Sequence, residues 1–329
     1  MTTASARCAA FAAALGIAIA ASSVARAAEA YPGKPIRLLV GFAPGGANDL
    51  VARAVAIRLS PRLGQQVVVE NRAGAGGNIA TELGARSAPD GYTILLASVA
   101  SFAMSPALLG KVSFDPINDF APITQGVLVT GILSVHPSMP PKTLKQFVAL
   151  AKQEPGKINY ASPGVGSIAH LAFERFWRAA DIRLNHVPYK GGGPAVADAI
   201  AGHVESIAGL ISTQTPHIRA GRLRALAVTS AKRSAATPEV PTIAESGYTG
   251  FESSGWLGFV FPARTPQPIV DRMHKEIVAV LSLREVQAQM EDLGLDCEPT
   301  TPAEFHALIK SDYARWGKLI REAGLKGGE

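Results

Sequence analysis

Two stretches of this chain place small residues where a backbone can do chemistry. The first is Phe42-Ala43-Pro44-Gly45-Gly46-Ala47-Asn48-Asp49. An apolar run, Ile36-Arg37-Leu38-Leu39-Val40, precedes it and reads as a buried strand. Leu50, Ala54, Ile57 and Leu59 follow at roughly helical spacing. Strand, Gly-rich turn and helix in that order present the unpaired N–H groups of a helix N-terminus, with their partial positive charge, to whatever lies in front. That is a site for a carboxylate or phosphate made without any charged side chain. Gly45 and Gly46 let a ligand approach the backbone closely. The plainer reading, an ordinary turn in which Asn48 or Asp49 caps the helix, stays open on this stretch alone. The second stretch, Ser162-Pro163-Gly164-Val165-Gly166-Ser167, repeats the plan between a strand expected over 158–161 and a helix over 168–180. Two such ends facing each other across a cleft could hold both ends of one small molecule.

Other chemistries leave no matching pattern. There is no Gly-x-Ser-x-Gly elbow and no Gly-x-x-x-x-Gly-Lys-Ser/Thr loop. Gly74-Ala75-Gly76 begins like a dinucleotide fingerprint, but Ile79 stands where the third glycine belongs. None of the histidines falls at metal-ligand spacing, so no metal and no cofactor is expected. His170 lies within one turn of the second glycine turn, and Ser162 or Ser167 could serve it as a nucleophile. A hydrogen-bonding or helix-positioning role is the simpler account, and no catalytic residue is assigned. The densest basic patch, Arg219-Ala220-Gly221-Arg222-Leu223-Arg224, has no interleaved aromatics and reads as a solvated loop leading into a strand, not as a nucleic-acid surface.

The elements that must position these turns alternate. After a helix over 53–63 come a strand at Val67-Val68-Val69, a Gly-rich turn at 73–78, a helix over about 79–87, a strand over 92–97 and a small-residue loop, Ser98-Val99-Ala100-Ser101. This βαβαβ order implies a parallel sheet with helices on its faces, and three loops at the carboxyl ends of its strands. The run over 127–135 reads as the crossing into a second α/β unit. That unit continues with a helix over 144–152, strands over 206–211 and 223–229, and helices over 195–201 and near 216–220. Residues 238–250 are Pro/Gly-punctuated and read as a return linker to a strand over 256–261 and helices over 269–281 and 305–323. Thr301-Pro302-Ala303-Glu304 has the form of a capping box.

The N-terminus reads as an export signal. Arg7 precedes an unbroken run of small and apolar residues over 8–21, and Ala25-Arg26-Ala27 ends in a small-x-small cleavage pattern. The apolar run is short for a membrane span. Cleavage after Ala27 leaves residues 28–329, long enough for two domains with a buried core. The net charge then falls from +6 to +4, because Arg7 and Arg26 leave with the signal. Of the two cysteines only Cys297 remains, which precludes an intramolecular disulfide.

Many ordered motifs together resemble the Bug receptors, periplasmic solute-binding proteins of tripartite tricarboxylate transporters. They begin with Tyr31-Pro32-x-Lys34-Pro35-Ile36, then Phe42-x-Pro44-Gly45-Gly46-x-x-Asp49, Val69-Glu70-Asn71-Arg72-x-Gly74-Ala75-Gly76-Gly77 and Pro89-Asp90-Gly91-Tyr92-Thr93. They continue through Ser162-x-Gly164-x-Gly166-Ser167-x-x-His170-Leu171, His186-Val187-Pro188-Tyr189-Lys190-Gly191, Leu226-Ala227-Val228-Thr229 and Pro241-Thr242-x-x-Glu245. The resemblance covers essentially the whole mature chain. It implies an α/β, two-domain type II periplasmic-binding fold with a ligand cleft between the domains. The first domain is expected over 28–130, the second over 131–251, and 252–329 returns to the first.

The resemblance also implies a non-enzymatic receptor that closes on a small organic acid and delivers it to membrane transporter subunits. The acid is a di- or tricarboxylate, an aromatic acid or a related amide, and the receptor is a monomer in the periplasm. Carried onto this sequence, ligand contacts fall at Phe42, Ala43, Gly46, Asn48, Asp49, Gly76, Asn78, Ser98 and Ser101 from the first domain. Ser162, Gly164, Gly166, Ser167 and His170 supply those from the second. Asp49 is anionic and is expected to cap its helix or hold a water. Two departures stand out: Gly209 occupies the place of a common aspartate, which argues against an amino-acid ligand, and Asn48 stands where many members have threonine. Two other readings compete with this one: an exported Ser/His hydrolase, and a solute sensor serving a signalling kinase.

Overall fold

The computed structural model describes residues 31–165, 167–189 and 191–322. The expected signal segment and Gly166 therefore lie outside the described residues. Two sheets organise the chain. Strands β1 (Ile36–Val40), β2 (Val67–Asn71), β3 (Thr93–Ser98), β4 (Phe120–Val129), β10 (Gly255–Pro262) and β11 (Leu295–Cys297) form a six-stranded sheet in the order β11-β4-β10-β3-β1-β2. Strands β5 (Gly131–Val135), β6 (Asn159–Ser162), β7 (Asn185–Pro188), β8 (Ser206–Leu210) and β9 (Arg224–Val228) form a five-stranded sheet in the order β7-β6-β8-β5-β9. β1 pairs in parallel with β2 and β3, and β6 with β7 and β8; β10 and β5 run antiparallel to their neighbours. The expected α/β class with parallel strand–helix units is thus realised twice.

The central strands read as continuous apolar runs because helices cover both faces. Every residue of β3 and of β10 is buried. Helices α1 (Ala47–Leu63), α2 (Asn78–Ala85), α3 (Ser105–Leu109), α8 (Gln267–Leu281), α9 (Arg284–Asp292) and α10 (Pro302–Glu322) accompany the first sheet. Helices α4 (Leu144–Gln153), α5 (Ile168–Ala180), α6 (Gly192–Ala201) and α7 (Ile211–Arg219) accompany the second. The first core joins Val51, Val55 and Leu59 of α1 to Leu38, Ile94, Phe259 and Met273. The second joins Phe147, Tyr160, Phe173, Phe176 and Trp177 to Leu133 and Leu226. The expected capping box closes α10: Glu304 Oε2 accepts from Thr301 N, and Thr301 Oγ from Glu304 N.

Several elements differ from the sequence expectation. α1 starts at Ala47, six residues before the helix read from 53, because Gly46 is the last extended residue of the turn. Ile57, read as part of its apolar face, is 70% exposed; the buried face runs through Val51, Val55 and Leu59. The small-residue loop at 98–101 is no loop. Ser98 ends β3, and Ala100–Met104 form a wide helical turn running into α3. The helix read near 216–220 starts at Ile211. The apolar run over 127–135 is two strands, broken at Thr130, where the chain passes from one sheet to the other. It returns through residues 229–254, and Thr229 N donates to Gly131 O, with Gly131 N donating back to Thr229 Oγ1, where the two passages lie side by side. Arg175 of α5 and Arg315 of α10 both donate to the Glu252 carbonyl on the return passage, which ties helices of both lobes to it. Of the basic patch, Arg224 lies in β9 and donates to the carbonyls of Pro137, Met139 and Pro141, so it is a structural residue.

Candidate functional site

In the first lobe three turns meet at the carboxyl ends of β1, β2 and β3. Their meeting depends on missing side chains. A Cβ on Gly41 would stand 2.8 Å from Gly77 Cα, and one on Gly77 would stand 3.2 Å from Ser101 Cβ and 3.3 Å from the Phe42 ring. Gly77 also holds φ 95°, where an L side chain is strained. Phe42, half-buried, therefore sits over Gly77, while Ala43, Pro44, Gly45 and Gly46 are exposed. Gly46 is the N-cap of α1, and no side chain caps the helix there. The Nδ2 of Asn48, one residue inside the helix, is buried without a hydrogen-bond partner. A row of donors is thus left facing this turn without an acceptor.

Asp49 does not cap the helix. It is 2% exposed, and its Oδ2 accepts from Gly45 N and from Arg53 Nε, both at 2.9 Å, while Oδ1 accepts from Asn71 Nδ2 at 2.9 Å. The same Asn71 amide donates to Phe42 O at 3.0 Å. Asp49 therefore ties the turn back onto its own helix and onto β2, and it holds the turn's shape. The hydrogen bond from Arg53, with those from Gly45 and Asn71, lowers its carboxyl to about 2. Arg72 pairs with Glu70. Both arginines near the turn are thus engaged within the first lobe.

Gly76 is exposed, and Asn78 donates to Ser105 Oγ at 2.8 Å while its Oδ1 is buried and unpartnered. Ser98 and Ser101 are buried and bond each other: the two Oγ atoms lie 3.2 Å apart, and Ser101 N donates to Ser98 Oγ. They shape the turn that supports Gly77.

The second lobe builds its turn differently. Gly164, with φ 136°, packs so that a Cβ would stand 3.0 Å from Tyr189 O. Ser162 Oγ lies 2.7 Å from His186 Nε2 and accepts from Gly164 N at 3.2 Å. Tyr189 N donates to Ser162 O, and Gly191 N to Pro163 O. Ser167 is the N-cap of α5, its Oγ accepting from His170 N at 3.3 Å. His170 is buried and stacks on His186 at 4.2 Å between centroids; His186 stacks on Tyr160 at 4.8 Å. Tyr160 donates to Glu174 Oε1 at 2.6 Å, which stands 4.0 Å from His170 Nε2. Burial lowers both imidazoles to about 4, His186 further because His170 is beside it, so both are neutral at pH 7.

Ser162 therefore pairs with His186, not with His170. His186 stands in the motif His186-Val187-Pro188-Tyr189-Lys190-Gly191, and nothing in that motif alone points to a role for it. The parallel register Tyr160↔His186 is what brings it beside Ser162, and strand alternation puts Tyr160 and Ser162 on one face. As a nucleophile Ser162 is badly placed: it is 0% exposed, beneath the turn it holds.

Gly255, at the start of β10, brings the two turns to one place. A Cβ there would stand 3.0 Å from Ile168 Cγ2, the first residue of α5, and 3.2 Å from Val99 Cγ1. Leu171 and Ala172 of α5 pack in the same cluster as Phe102 and Trp256. The N-terminus of α5 thus rests against the turn after β3.

Gly209, on β8, leaves room for Gln214: a Cβ would stand 2.6 Å from its Nε2, which donates to Ile132 O. A cavity of about 840 Å³ lies elsewhere on the second lobe among Thr143, Leu144, Arg224 and Pro241, and no turn residue lines it. Among the described residues no group of three or more His, Cys, Asp or Glu is placed to hold a metal ion, and no helix is long and apolar enough to cross a membrane.

Comparison with known proteins accords with this geometry. Residues 51–325 match the family described as tripartite tricarboxylate transporter family receptor. The protein BugT of Bordetella pertussis is 37% identical over 315 residues, covering 95% of this chain and 97% of its own. Among solved structures, an R. palustris protein with adipate is 32% identical with a TM-score of 0.76, covering 90% of this chain and 99% of its own. MatC from Rhodopseudomonas palustris with bound malate is 29% identical with a TM-score of 0.71, covering 88% and 100%.

Proposed function

The chain belongs to the tripartite tricarboxylate transporter receptor family, whose members are periplasmic solute-binding proteins, and from that premise we propose how this one binds. A small organic acid sits between the turn at 42–48 and the turn at 162–167. Its carboxylate meets the bare N-terminus of α1, with Phe42, Ala43, Gly46 and Asn48 around it and Gly76 and Asn78 beside it. Gly164, Gly166 and Ser167 close on it from the second lobe. Asp49, Ser98, Ser101, Ser162 and His170 shape these turns from behind. The closing bodies are residues 28–130 with 252–329, and residues 131–251; they hinge where the chain crosses between sheets. The filled receptor is a monomer that hands its ligand to membrane transporter subunits, after export and cleavage following Ala27.

The observation that carries this reading is the α1 N-terminus, uncapped by any side chain and flanked by an unpartnered amide donor. A carboxylate there gains about 1 kcal/mol from the helix dipole, and up to ~2 kcal/mol when partly buried. Neither Arg53 nor Arg72 is needed, since each already holds a carboxylate of its own lobe.

A thermal-shift screen against mono-, di- and tricarboxylates, aromatic acids and their amides tests the proposal. A matching acid at a hundredfold excess over its dissociation constant adds about 2.7 kcal/mol of stability. Calorimetry should then give one site, with the acid recovered unchanged. Binding of no acid, or turnover of a bound ester or amide, overturns the receptor reading.

A further inference from the structure

The two crossings between the sheets carry buried hydroxyls that have no hydrogen-bond partner among the described residues. Thr130, between β4 and β5, is 1% exposed; Ser253 and Ser254, on the return passage, are 0% and 5% exposed. The side-chain oxygens of all three are buried without a hydrogen-bond partner. The three lie together. The antiparallel register Gly255↔Val129, continued by one residue, sets Ser254 beside Thr130. Ser253 N donates to Thr229 O, and Thr229 in turn bonds Gly131, the residue after Thr130. The hydroxyl of Thr229, by contrast, is satisfied, accepting from Gly131 N at 2.9 Å.

This cluster lies against the place where the two turns meet. Gly255, adjacent to Ser254, touches both Val99 behind the first-lobe turn and Ile168 at the N-terminus of α5. Gly131, adjacent to Thr130, touches Phe173 one turn further along α5. A buried hydroxyl left without a partner destabilises a fold, and natural chains hold few of them. Three at one hinge, between two binding turns, are accounted for if their partner arrives with the ligand.

We propose that Thr130, Ser253 and Ser254 form the floor of the ligand cleft and select an acid that carries an uncharged hydrogen-bonding group, a hydroxyl or oxo group, near its carboxylate. The inference rests on the receptor reading above and deepens it. A hydroxyl both donates and accepts, so three of them suit a neutral polar group better than a second charge. A site built to bond a ligand hydroxyl rejects the analogue lacking it far more strongly than an apolar pocket rejects a changed methylene. The crossings are also the hinge, so a ligand bonded there bridges both lobes at their pivot.

The test uses acid pairs that differ by one hydroxyl: malate with succinate, 3-hydroxyadipate with adipate, and the hydroxybenzoates with benzoate. Calorimetry on the mature chain should show the hydroxylated member of the bound pair favoured on the order of tenfold or more. Thr130→Val and Ser254→Ala should bring that ratio towards one while leaving the ligand-free melting temperature unchanged or raised, because each removes an unsatisfied group. A variant that weakens both members equally acts on hinge motion alone and overturns the proposal, as does an unchanged ratio or a destabilised ligand-free protein. Ser134→Ala is the control: its hydroxyl is equally buried and unpartnered but lies within β5, and its loss should leave the ratio intact. If the unmodified chain binds no acid of any pair, this proposal falls, and the receptor reading falls with it only when the wider screen also finds no ligand. Binding without the hydroxyl preference overturns this one alone.

Discussion

The two binding turns share a plan and differ in what holds them. Each is a strand, a glycine turn and a helix N-terminus. The first is held by charge: the Asp49 carboxylate collects Gly45 N–H, Arg53 and Asn71, and leaves the helix end bare. The second is held by neutral rings: Ser162 leans on His186, which lies between the rings of His170 and Tyr160, and Ser167 caps the helix. One turn is thus built to attract an anion and the other to stay in shape against it. The two should also answer acid differently, and that is the sharpest way to separate them.

The largest expected effect is a loss of stability on acidification that comes from the second turn. In the unfolded chain a histidine takes a proton near pH 6.5, whereas His170 and His186 in the fold resist it until about pH 4. Between those values the unfolded state binds protons that the native state refuses. The stability these two residues confer is therefore complete above pH 6.5 and drains away as the pH falls towards 4. Each contributes as much as about 1.4 kcal/mol per pH unit across that window. Glu174 is the carboxylate facing the pair, and its charge moderates the slope by opposing the fall of the His186 imidazole. Urea titrations from pH 7.5 to 4 should show this slope in the unmodified chain and a shallower one in His170→Gln with His186→Gln. If the slope is the same in both, the ring stack is not what the second turn depends on.

Asp49→Ala should cost less, about 2 kcal/mol at pH 7, because it strands the buried Asn71 amide and Gly45 N–H and releases Arg53. Its acid signature lies lower. The native carboxyl titrates near 2 and the unfolded one near 3.8, so its contribution is complete above about pH 4 and is lost only below that. The variant should therefore keep the full slope between pH 6.5 and 4. An altered slope in that window would mean that the two turns are not independent. Carboxylate binding should fall with the shape of the 42–46 turn, and by more than the same variant's loss of stability.

How much of this was open to reading follows from how local each signal is. The glycine turns announced themselves because apolar run, glycines and helical spacing are contiguous, and α5 begins and ends where its apolar spacing said it would. The two-sheet α/β architecture followed from strand–helix alternation. Partners distant in sequence were not legible. His186 reaches Ser162 only through the parallel pairing of β6 with β7, and no property of either residue announces it. Asp49 looked like a cap because an acidic residue in a first turn commonly is one; its capture by Asn71 needs β2 beside β1. The run over 127–135 reads as a crossing, but that it is two strands and not one was not legible, because β4 and β5 are both apolar and only one residue separates them. The serines at 98 and 101 looked like loop residues, yet bonded to each other they can stay buried inside a helical turn.

The smallest effect bears most directly on the contrast between the turns. Ser167 caps α5, so Ser167→Ala should cost about 1 kcal/mol of stability. While its oxygen accepts from His170 N, its hydroxyl proton remains able to donate to a ligand carboxylate. If it does so, the alanine variant binds its acid several-fold more weakly, on the order of the ~1 kcal/mol net worth of one hydrogen bond. Calorimetry alongside urea denaturation separates the two roles. Stability and affinity falling together makes the second turn a gripping partner of the first. Stability falling alone makes Ser167 a cap and nothing more, leaving the carboxylate to the bare end of α1.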